Sequence, residues 1–199
     1  MYKYIFLFFA LMSSCIIAQV TSIPWGISQP EYTSKFGDQY NTSYKGLDFL
    51  ICNDSIKCDL GLYKTLEINA FAKSRLVKRI IILWEQYGNA NDFAVLNKYC
   101  NALADISGSL DKLYGKTSIE KIWLNKKYKN KADADSVAKA TALGYVKYHQ
   151  EWNNKDTKVT LTMGCPKCDG EIVFVVQYYS TNYKDVYTST AYSPDDWGF

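Results

Sequence analysis

The sequence has one histidine, His149, and no marked excess of either charge: 23 Lys and Arg stand against 20 Asp and Glu, a formal charge of +3. A Ser-His-Asp triad, a two-histidine metalloprotease helix or a histidine-rich metal site would each have to rest on that single ring. Most such mechanisms are thereby excluded. The near-balance of charge argues against the concentrated basic face of a nucleic-acid binder, so no nucleic acid is expected as a partner. The chain has no Gly-rich phosphate loop, nucleophile elbow or metalloprotease motif. It has no internal repeat. No apolar run reaches the length of a membrane helix, so no transmembrane span is expected. No cofactor is implied, and the expectation is a non-enzymatic protein.

What is present, in 199 residues that are 48% hydrophobic and 16% aromatic, is the composition of one compact domain. Residues 1–18 read as an export signal. Lys3 supplies a positive start, Ile5 to Met12 are continuously apolar, and small residues follow at Ser13, Ser14 and Ala18. Cleavage after Ala18 would leave Gln19 first in a periplasmic or secreted protein. A rival reading takes Leu11-Met12-Ser13-Ser14-Cys15 as a lipobox, with Cys15 lipidated and the protein anchored to the outer membrane. The expected organisation is then a signal peptide over 1–18, a single domain over 19–180 and a polar, aromatic C-terminal tail over 181–199.

Ser28-Gln29-Pro30-Glu31 has the spacing of a capping box with proline in the first turn and predicts a short helix from Gln29 to Phe36. Strand-like runs follow between Tyr44 and Glu85, broken by the turn residues Asn53-Asp54-Ser55. A long helix begins at Asn91 or Asp92. It places Phe93, Leu96, Cys100, Leu103, Ile106, Leu110 and Leu113 on one face and ends at Gly115. An Ala-rich segment from Asp133 to Leu143, closed by Gly144, predicts a shorter helix, reached through the basic loop NKKYKNK. Alternation then returns in VKYHQEW, VTLTM and EIVFVVQYY, joined by the turns NNKD and CPKCDG. The order predicts an α+β domain. Its antiparallel sheet should have five to six strands in two meanders, with one long and one or two short helices packed on one face.

These landmarks resemble a loose class of uncharacterised exported bacterial α+β domains. In that class a WG-x-S segment opens the first helix, a long helix ends in L-x-x-x-YG, and a Trp and an I-x-L strand lead into a closing hairpin. Here the corresponding residues are Trp25-Gly26-Ile27-Ser28 with Glu31, Leu110 with Tyr114-Gly115, Trp152, Val159-Thr160-Leu161, and Ile172 to Tyr179. The resemblance implies the fold and carries no activity.

Five cysteines follow the leader: Cys52, Cys58, Cys100, Cys165 and Cys168. In an exported chain two local disulfides are expected, Cys52 with Cys58 and Cys165 with Cys168, each stapling a hairpin. Cys165-Pro166-Lys167-Cys168-Asp169-Gly170 also has the form of half a zinc ribbon, with Cys52 and Cys58 as the other two ligands in that reading; free or redox-active thiols are the third reading. Cys100 reads as a buried free thiol on the apolar stripe, and His149 as a surface residue on the strand face it shares with Lys147 and Glu151. Asp133 with Asp135, and Asp195 with Asp196, read as a helix start and a solvated tail. The lysines at 126, 127, 129 and 131 read as a solvated loop.

The 17 tyrosines suit either a half-buried antiparallel sheet or recognition of a partner by a rigid apolar ring with a polar tip. The functional expectation is a binding or accessory domain of the bacterial envelope that takes a protein or glycan partner, with Trp197 and Phe199 of the tail as candidate binding residues. The alternatives are a periplasmic inhibitor or immunity protein, and a small metal- or thiol-dependent module built on the cysteine-bearing hairpins.

Overall fold

The computed structural model describes residues 23–36, 40–44, 47–52, 64–84, 86–125, 128, 129 and 133–183, with strand placement alone over 40–44, 47–52, 64 and 65. The leader, Cys15, Cys58, and the tail from residue 184 on, with Asp195, Asp196, Trp197 and Phe199, lie outside the described residues.

The fold is α+β. Helix α1 spans Gln29–Phe36, α2 Phe93–Tyr114 and α3 Ala134–Ala142. The strands are β1 Tyr40–Tyr44, β2 Leu47–Cys52, β3 Lys64–Ala72, β4 Arg75–Trp84, β5 Glu120–Trp123, β6 Val146–Asn153, β7 Thr157–Gly164 and β8 Val173–Ser180. They form one eight-stranded sheet in the order β1-β2-β3-β4-β8-β7-β6-β5. The two expected meanders are both there, β1 to β4 and β5 to β8, joined by antiparallel pairing of β4 with β8. Two strands exceed the expected number. YNTSY of β1 and EKIW of β5 are short, polar or charged, and carry no alternation that a sequence reading could catch.

Side chains alternate across the sheet, and the register assigns them to two faces. Ile81, Leu83, Val159, Leu161, Met163, Phe174, Val176, Tyr178, Val146, Tyr148 and Trp152 share the face covered by α2 and α3. Tyr32 of α1 packs at the β3–β4 end of the same face, against Phe71. The opposite face carries Ile68, Ala70, Ile80 and Val175 and, on β6 and β7, the polar Lys147, His149, Glu151 and Lys158.

Helix α2 is capped by Asp92, whose carboxylate accepts the Ala94 N–H at 2.7 Å. Its buried stripe is Leu96, Tyr99, Ala102, Leu103, Ile106, Ser107 and Leu110. The expected ends of that stripe, Phe93 and Leu113, lie in the first and last turns and are 40% and 49% exposed. Helix α3 starts at Asp133, which accepts both N–H and O–H of Ser136. Those bonds hold its carboxyl below the usual range, and Asp135 lies in the first turn, so the pair serves the helix start. The helix ends in a Schellman motif: Gly144, with φ +70°, donates to Thr141 O at 3.0 Å and Tyr145 donates to Ala140 O at 2.8 Å.

Candidate functional site

The CPKCDG turn joins β7 to β8 and is clamped from two sides. At α3, Gly170 N–H donates to Ala142 O at 3.1 Å, adding a partner to the open carbonyl end of that helix. A Cβ on Gly144 would meet Cys168 Sγ at 2.7 Å, so glycine is required there for close approach as well as for its positive φ. At the entry to α2, Asn89 Nδ2 donates to Asp169 O at 3.0 Å and Ala90 N–H to Gly170 O at 3.0 Å. Asn89 in turn orders its own loop by accepting the Asn91 N–H at 3.0 Å.

Between this turn and the loop that leads from β4 to α2 lies a cleft of about 660 Å³. Trp84 and Tyr99 give its apolar side; Gln86 and Asn89 from one bank and Lys167, Asp169 and Glu171 from the other give its polar side. Tyr99 is fully buried, and its hydroxyl is taken by the backbone of Tyr87 and Gly88, so it shapes the wall. Trp84, half-buried at the end of β4, is the less enclosed of the two aromatic lining residues. Lys167 and Glu171 face each other across the turn at 3.7 Å and are largely solvated; such an exposed pair contributes little to stability and remains available to a ligand.

Cys165 and Cys168 are separate thiols in this structure. Cys165 is buried, its Sγ accepts the Gly170 N–H at 3.2 Å, and it stands 3.6 Å from the Asp169 carboxylate. Burial pushes its thiol above the ordinary range, and the Asp169 charge adds to the rise. Cys168 is exposed. Cys52 closes β2, and β3, β4 and β8 intervene between β2 and β7. At about 4.8 Å per strand the Cys52 position is about 19 Å across the sheet from β7, too far for one zinc to bind Cys52 together with the turn. Among the described residues no three His, Cys, Asp or Glu side chains come together as a metal site.

The sequence matches no family model, and neither a curated protein nor a solved structure is significantly similar to it.

Cys100 and His149 do not meet. Cys100 is a half-buried free thiol on α2 whose pKa is raised by burial, facing Tyr148 on the helix-covered side of β6. His149 points to the other face, with Nδ1 3.1 Å from Thr162 Oγ1, and burial lowers its pKa. Tyr32, Tyr99, Tyr148, Tyr178 and Tyr179 are core residues, so a good part of the tyrosine excess is sheet and helix packing. The sequence reading did not include Trp84, Asn89 or Tyr99 in a site. What joins them to Lys167 and Asp169 is a contact between segments 80 positions apart, for which a single sequence holds no local signal.

Proposed function

We propose that the chain is an exported, non-enzymatic binding domain of the bacterial envelope, and that it takes a protein or glycan partner at the Trp84 cleft. The observation that carries this reading is the cleft's construction. One half-open indole is flanked by a cation, two carboxylates and two amides, and both banks are tied by backbone hydrogen bonds to elements of the core. A preformed concave site with an aromatic surface and a few placed polar groups is the usual form of a recognition site. The narrower reading, a periplasmic inhibitor or immunity protein, uses the same surface. A thiol-dependent module finds support in the two free thiols of the turn, but Cys165 sits at the carbonyl end of α3 beside a carboxylate, surroundings that favour its protonated form and make it a poor first nucleophile for an enzyme.

The test is site-specific photo-cross-linking in the native envelope. A benzophenone side chain placed at Lys167 or Gln86 should yield a discrete adduct, while one at Lys112, exposed in the last turn of α2, should not. Equal labelling from all three positions, or none from the cleft, would remove the cleft from the function. Export itself is read from the intact mass: a chain beginning at Gln19 supports release, and a diacylglycerol mass on Cys15 supports anchoring.

A further inference from the structure

We propose that Cys165 and Cys168 form a reversible dithiol–disulfide pair that sets the conformation of one bank of the cleft, so that partner binding depends on the redox state of the compartment. This rests on the reading of the cleft as the binding site.

The turn is already closed. Cys168 N–H donates to Cys165 O at 3.3 Å, and a turn of this form holds its end Cα atoms within about 7 Å, overlapping the range that disulfides span. The two thiols are unequal in a way that suits exchange. Cys168 is exposed and meets solvent, whereas Cys165 is 4% exposed and shielded. With an external disulfide as oxidant, the Cys168 thiolate attacks one sulfur of that disulfide and expels a thiol. The Cys165 thiolate then attacks the Cys168 sulfur of the mixed disulfide and expels the second. One molecule of external disulfide is reduced to two thiols, the protein loses two hydrogens, and the reverse exchange restores both thiols.

The consequence for the cleft follows from what Cys165 touches. Its Sγ holds the Gly170 N–H and lies against the Asp169 carboxylate, and both residues line the cleft. A thiol can donate to that carboxylate and a disulfide sulfur cannot. Space around the turn is tight, so a moved sulfur is transmitted outward. Cys168 Sγ abuts Gly144, and Gly170 abuts Asn89 so closely that a Cβ at 170 would overlap the Asn89 amide. Lys167 stands between the two cysteines and moves with them.

The experiment is ¹⁵N NMR of the protein across a series of reduced to oxidised glutathione ratios, with peptide mapping of the disulfides at each ratio. A Cys165–Cys168 link should appear in parallel with a two-state shift of the Gly170 backbone amide and the Asn89 side-chain amide. Both changes should reverse on adding reduced glutathione, and both should be lost in Cys168→Ser. Reversal in the unmodified protein serves as the check should that variant fold poorly. The proposal is overturned by glutathione held at Cys168 without transfer to Cys165, by no link at any ratio, or by a link that leaves Gly170 and Asn89 unmoved. These readouts need no partner, so their failure is distinct from a failure of cross-linking at the cleft.

Discussion

The indole N–H of Trp152 donates to Asp111 Oδ1 at 2.9 Å, joining the C-terminal end of β6 to the last turns of α2. The same oxygen accepts from Gln150 Nε2 and the Thr117 N–H, each at 3.3 Å, and Gln150 Oε1 accepts Ser107 Oγ–H at 2.7 Å. One carboxylate thus satisfies the indole of a fully buried tryptophan, a buried amide and the backbone that follows the helix. Asp111→Ala leaves the Trp152 N–H without its acceptor and should cost about 1–3 kcal/mol in urea unfolding. Asp111→Asn, which keeps an acceptor oxygen, should lose less. Equal losses in the two variants would show that the oxygen's bonds are not what the site uses.

A second polar device lies inside the sheet. Arg79 on β4 is paired with Glu67 on β3, both side chains at most 3% exposed, and its Nε donates to Asn69 Oδ1 at 2.9 Å, while Asn69 Nδ2 donates to Tyr32 OH at 3.0 Å. Removing one partner of a buried pair leaves the other charged and unpaired, so Arg79→Met should destabilise by about 3–5 kcal/mol. Glu67→Leu combined with Arg79→Met should cost far less than the sum of the single changes. Additive losses in the double-mutant cycle would contradict the coupling.

Lys78, on the opposite face of β4, is 3% exposed with its ammonium 4.7 Å from the Tyr179 ring centre, and burial brings its pKa down to about 8. An unfolded lysine titrates near 10.4. Below pH 8 the full cost of holding the charged form is present. Between pH 8 and about 10.4 the folded state releases its proton first, the unfolded chain binds more protons, and stability rises with pH. Relative to Lys78→Gln, the parent protein should gain up to about 1.4 kcal/mol per pH unit across that window. Denaturation series at pH 7, 8, 9 and 10 measure it, and a difference between the two proteins that does not change with pH would refute it.

Much of the fold was legible because local rules and tertiary packing agree. The capping box at Ser28 marked the start of α1, Asp92 and Gly115 bracketed α2, Gly144 closed α3, and period-two alternation marked β6 to β8. The alternation even separated His149 from Tyr148 and Trp152, which are on opposite faces as expected. Where it failed, the local signal was absent: β1 and β5 are strands because a neighbour offers them an edge.

The candidate site divides along the same line. The CPKC spacing by itself determined that two thiols share one tight turn, since that depends only on chain connectivity and on proline and glycine geometry. Tertiary structure alone decided that the turn packs on the end of α3, that Asn89 clamps it from 80 positions away, that Trp84 faces it across a cleft, and that three strands separate β2, which ends at Cys52, from β7. Those relations depend on the order of strands in the sheet and on the docking of helices upon it. Both are set by the summed burial of many distant apolar side chains, which no short stretch of sequence contains.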